Sequence, residues 1–61
     1  MQKHTVAIAF VRSAVAPLDE ATRERLLTQS GIPPELLAVP GARVPARAFS
    51  NLWLAVAREL D

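Results

Sequence analysis

A chain of 61 residues that is 51% hydrophobic and 21% charged has the composition of a folded domain, yet it is short enough that its core is thin. It holds no cysteine and one histidine, His4, so disulfides, thiolate metal sites, cysteine nucleophiles and a zinc site of about four ligands are excluded, and a partner is the expected supplement to the core. A net charge of +1 is too small to draw in nucleic acid or a membrane surface by electrostatics alone.

Thr5 to Ala16 is expected as the first helix, with Thr5 as N-cap and Pro17 stopping it near Ala16. The β-branched Val6, Ile8 and Val11 leave a short buried strand as the alternative. The apolar run from Val6 to Val11 follows Lys3 and His4, as in a signal peptide. It is short, however, and meets Arg12 where a cleavage site needs small residues. Nor does any stretch approach the roughly 20 apolar residues of a membrane span, so the expected location is the cytoplasm, with no membrane partner. As a helix this segment is apolar nearly all round, apart from Arg12 and Ser13. It therefore expects cover, and Ile8, Val11 and Val15 are its candidate partner-facing residues.

Glu20 to Ser30 reads as the second helix, with Asp19 as N-cap, Leu26 and Leu27 inward and Thr22 to Arg25 solvated. Gly31 is its C′ residue, and Ile32 makes the apolar contact that closes a Schellman motif. Pro33 to Leu37 predicts one short helical turn, and Val39 to Val44 a loop turning at Pro40-Gly41. The last helix starts at Pro45 or Ala46. Phe49, Leu52, Trp53, Val56 and Leu60 form its apolar stripe, and Leu54 lies off that stripe as a further partner-facing candidate. The pattern stops at Leu60-Asp61 without a C-cap glycine, as expected of an N-terminal fragment. The fold class expected is all-α: a small bundle of three main helices plus one short helical turn, part of a larger domain.

Chemistry is sparse. Glu20, Glu24, Glu35 and Glu59 are scattered, and Ser13, Ser30 and Ser50 lack a neighbouring histidine base. His4 reads as a mobile terminal residue, and isolated Gly31 and Gly41 make no phosphate loop. Neither an enzyme nor a cofactor is expected. The turn at Ser30-Gly31-Ile32 suits a helix-turn-helix, with Arg43, Arg47 and Arg58 for phosphates, but Pro33-Pro34 and a lone Glu35 make a poor recognition helix. Phe49 and Trp53 are candidates for an effector pocket or inter-domain contact, beside core packing. Arg43 joins them from its loop, beside a rim salt bridge to Glu35 or Glu59.

The order of these pieces carries a resemblance. Ala9-Phe10-Val11-Arg12, Leu18-Asp19, Ser30-Gly31-Ile32, Pro34-Glu35-Leu36-Leu37, Ala42-Arg43-Val44-Pro45, then Phe49, Leu52-Trp53 and Ala57 to Asp61 together resemble the arabinose-binding-type N-terminal domain of AraC-family bacterial transcription regulators. The resemblance runs from about Val6 to Asp61, and Ala16-Pro17 replaces the family's longer, polar connection with a short, rigid one. It implies an effector-sensing and dimerising segment, possible partners being the rest of the regulator, a second copy and an unidentified small molecule. DNA would be met only through a C-terminal helix-turn-helix part that this sequence lacks. The alternatives are a stand-alone helical dimerisation module and a minimal helix-turn-helix DNA binder.

Overall fold

The computed structural model describes residues 4–61, and Lys3 of the leader-like flank lies outside them. Strand β1 (Thr5–Ala7) runs directly into helix α1 (Ile8–Val15), followed by helix α2 (Glu20–Gln29) and a 3-10 helix (Pro34–Ala38). Strand β2 (Arg43–Pro45) then runs directly into helix α3 (Ala46–Leu60). The helices fall close to their expected places, but the class is not plainly all-α. β1 and β2 pair as an antiparallel ribbon with Thr5 opposite Pro45, Val6 opposite Val44 and Ala7 opposite Arg43.

The ribbon explains why α1 starts three residues late. Ala7 is extended (φ −64°, ψ 144°) and takes the N-cap position that Thr5 was expected to fill. The first amide of α1, on Ile8, donates to the Ala42 carbonyl at 2.8 Å, just before β2. In return the first amide of α3, on Ala46, donates to the His4 carbonyl at 2.9 Å, just before β1. Each helix therefore has an orphan N–H met by the backbone just ahead of the opposite strand, with no capping side chain at either N-terminus. His4, expected to be mobile, is held through its backbone.

One face of α1 buries Ile8, Val11, Ala14 and Val15, while Ala9, Phe10, Arg12 and Ser13 are exposed. The cover this helix required comes from its own chain. A tight turn, with the Leu18 amide donating to the Val15 carbonyl at 3.0 Å, leads to α2. Arg23, expected in solvent, folds back there, and its Nη2 donates to the Leu18 carbonyl at 2.9 Å. At the far end of α2, Gly31 adopts φ +81°, its amide meets the Thr28 carbonyl at 3.1 Å, and the Ile32 amide meets the Leu27 carbonyl at 2.9 Å. That is the expected Schellman closure, and Ile32 is fully buried beneath it.

The core draws on every part of the chain. Its largest fully buried side chains are Val11 and Val15 of α1, Leu27 of α2, Ile32, Val44 of β2 and Leu52 of α3. Leu36 and Leu37 of the 3-10 helix pack against it from the edge. The Nε and Nη2 of Arg12 both donate to the Leu37 carbonyl, at 3.2 and 3.0 Å, pinning that turn to α1. No helix among the described residues is long and apolar enough to cross a membrane.

A domain of this size carries roughly 3–9 kcal/mol of stability at 0.05–0.15 kcal/mol per residue. Leu52→Ala is expected to cost about 2–5 kcal/mol, a large fraction of that, as a shift in the urea midpoint. Asp19, the N-cap of α2, has its carboxyl held below the usual range, chiefly by the Thr22 hydroxyl, although no side-chain cap hydrogen bond forms. Because the folded value is the lower one, this contribution is present above about pH 4 and is lost as pH falls through the folded pKa. The thermal midpoint should therefore drop less below about pH 4 in Asp19→Asn than in the parent chain.

Candidate functional site

The core side of α3 is rotated from the stripe that side-chain size suggested. Ala48, Leu52 and Val56 are buried, with Phe49 and Ala55 half-buried beside them. Trp53 is 57% exposed and Leu60 58% exposed, so both stand on the flank rather than in the core. Small Ala48 and Ala55 give little periodic signal, yet they are what let α3 approach its neighbours closely.

The result is an apolar surface on α3. Phe49 and Trp53, one turn apart, stack with ring centroids 6.4 Å apart and planes 25° apart, within the range of favourable offset pairs. Ala57 and Leu60 continue the same flank, and Leu54 is 60% exposed on the outward face next to it. The structure thus brings Phe49 and Trp53 together. Of the partner-facing candidates, Leu54 is exposed, whereas Ile8, Val11 and Val15 are core residues at 2%, 0% and 1% exposure. The sequence signal for their burial was the i, i+3, i+7 spacing, masked by the other alanines and Phe10 on the same helix.

Arg43 does not join the aromatic pair. It lies on β2 rather than in a loop, and its Nε donates to the Thr5 hydroxyl at 2.7 Å while Nη2 donates to the Thr5 carbonyl at 3.2 Å. The expected salt bridge to Glu35 or Glu59 is replaced by these contacts across the ribbon. Glu59 instead pairs with Arg25 at 3.1 Å, tying α2 to α3. Both members are substantially solvated, so the pair is worth at most about 1 kcal/mol.

Among the described residues, a shallow groove of about 600 Å³ lies at the start of α3 between His4, Thr5, Ser30, Arg47 and Asn51. A second sits at the α2 corner around Gly31 to Glu35. The third, about 330 Å³, lies between the first turn of α1 and the Pro40-Gly41 turn, with Arg12 and Arg43 on its walls. Arg12 was not singled out from sequence, since its place opposite Arg43 depends on the ribbon. Phe49 and Trp53 line none of these three, so they present a contact surface rather than a cavity wall.

A family model described as the arabinose-binding domain of AraC transcription regulator, N-terminal, matches residues 21–61, which is 41 of the 61 residues. The match takes in α2, the 3-10 helix, β2 and α3, while β1 and α1 precede it. No curated protein and no solved structure matches. With its Schellman corner, its β2 strand and its Phe-Trp helix all inside the matched span, the chain belongs to the family of AraC regulator N-terminal arabinose-binding domains.

Proposed function

We propose that this chain is the effector-sensing and dimerising segment of an AraC-type transcription regulator, and that it acts neither as an enzyme nor as the part that touches DNA. The observation that carries this reading is the family match, which covers the elements supplying Leu27, Ile32, Val44 and Leu52 to the core. The groove between Arg12 and Arg43 supports the sensing part. Each guanidinium has five N–H donors and uses two on neighbouring atoms, so further donors remain for a small anionic metabolite such as a carboxylate.

Against DNA contact stands the segment after Gly31. A recognition helix presents several polar or basic groups to the major groove. Here the corresponding segment is a 3-10 helix that turns Leu36 and Leu37 toward the core and leaves Glu35 exposed. Arg12, Arg25 and Arg43 are already engaged with acceptors of the protein itself.

A panel of small carboxylates titrated against the chain, read by backbone amide shifts, tests the sensing role. At least one member should move the amides of Ala7 to Arg12 and of Gly41 to Arg43, and Arg43→Ala should abolish the response. A panel that moves none of them would remove effector sensing from this segment. Duplex DNA at about 50 mM salt should show no affinity, and binding with a steep salt slope would favour the helix-turn-helix reading instead.

A further inference from the structure

Arg12 and Arg43 are fastened in the same way. In each, the internal bonds fall on the Nε and Nη2 edge of the guanidinium. Arg12 turns that edge to the Leu37 carbonyl at 3.2 and 3.0 Å, and Arg43 turns it to the Thr5 hydroxyl and carbonyl at 2.7 and 3.2 Å. The end-on edge, Nη1 with the second N–H of Nη2, has no partner among the described residues in either case. Two parallel N–H groups on one edge are the fork that takes a carboxylate bidentately. Each guanidinium is also anchored on a different element, Arg12 on the 3-10 helix and Arg43 on β1, so a ligand has little side-chain ordering left to do.

The groove that both arginines line suits one kind of occupant. Among the described residues no acidic side chain lines it, and none stands in the first turn of α1, so two positive charges meet there without a counter-charge. The rest of the lining, which includes Ala7, Ala9, Pro40 and Ala42, offers carbon and no polar side-chain atom. At about 330 Å³ the groove lies at the small end of the range for metabolite sites.

We infer that this groove takes a short aliphatic dicarboxylate, with one carboxylate on the free edge of Arg12, the other on that of Arg43, and the methylenes against the apolar lining. This rests on the sensing half of the functional reading above and narrows its ligand from an anion to a dianion with two separated heads. A monocarboxylate leaves one guanidinium unmatched. Inorganic phosphate brings charge, but it has neither two planar heads nor carbon to set against Ala9 and Pro40. A dicarboxylate held at both ends ties α1 to β2 through side chains that are already braced.

Succinate, glutarate, butyrate and inorganic phosphate, titrated at one ionic strength and read by calorimetry and backbone amide shifts, test this. The better diacid should bind at least about tenfold more tightly than butyrate or phosphate and move the amides of Ala9, Arg12, Ala42 and Arg43. Ala9→Glu alters an exposed side chain on the groove wall, outside the core. It should weaken diacid binding by at least about tenfold and leave the urea midpoint unchanged. Arg12→Lys keeps the charge but loses the fork, and should cut the advantage of the diacid over butyrate to below about threefold. If neither diacid nor butyrate moves these amides, the inference and the sensing reading fall together. Butyrate or phosphate binding as tightly as the better diacid leaves sensing standing and overturns the dicarboxylate. Indifference to Ala9→Glu overturns the groove as the site, and an undiminished diacid advantage in Arg12→Lys overturns the two-fork grip.

Discussion

The reciprocal exchange between ribbon and helices is the constraint on which the rest depends. Three paired residues per strand would be too few to hold a sheet on their own. They persist because each strand continues without a break into a helix whose first amide bonds the backbone ahead of the other strand. Antiparallel pairing sends α1 and α3 out from opposite ends of the ribbon, and both fold back over Val44 and Leu27. The position of one helix start thereby dictates the other, although the strands lie nearly forty residues apart.

Arginine serves this small core in an uncommon way. Arg12, Arg23 and Arg43 each reach a main-chain carbonyl, fastening the 3-10 helix, the α1–α2 corner and the ribbon respectively. A guanidinium fork on a carbonyl needs no desolvated counter-charge, so it can tie a loop down without the penalty of a buried ion pair. In a chain without cysteine, and with no cluster of metal-ligating side chains among the described residues, such ties supplement what apolar burial supplies.

Much of this was legible in the residues, for local reasons. Asp19, Gly31 and Ile32 carry the two ends of α2 in a few neighbouring positions, and Pro33-Pro34 and Pro45 mark where the next turns begin. The ribbon was not legible, since Val6 learns that it is a strand only from Val44, and nothing near Thr5 says that its hydroxyl belongs to Arg43 rather than to a helix amide. The phase of α3 was misjudged because alanine buries without announcing itself, while Trp53 and Leu60 announce burial without achieving it. Phe49 and Trp53 stand out in the sequence by size, whereas the solvent-facing position of Trp53 follows from the burial of Ala48 and Ala55. Arg43 reads from its neighbours as a loop residue, and only the pairing of β2 with β1 sets it against Thr5.

The ribbon's own edges complete the picture. Alternation along the ladder, with Val6 and Val44 as the bonded pair, turns the main-chain groups of Thr5, Ala7, Arg43 and Pro45 outward. Pro45 has no amide to offer on its side, and on the other side the Thr5 carbonyl is already taken by the Arg43 guanidinium. A stray extended segment therefore meets an edge with one amide missing on β2 and one carbonyl occupied on β1, two of the groups through which the ribbon could otherwise grow.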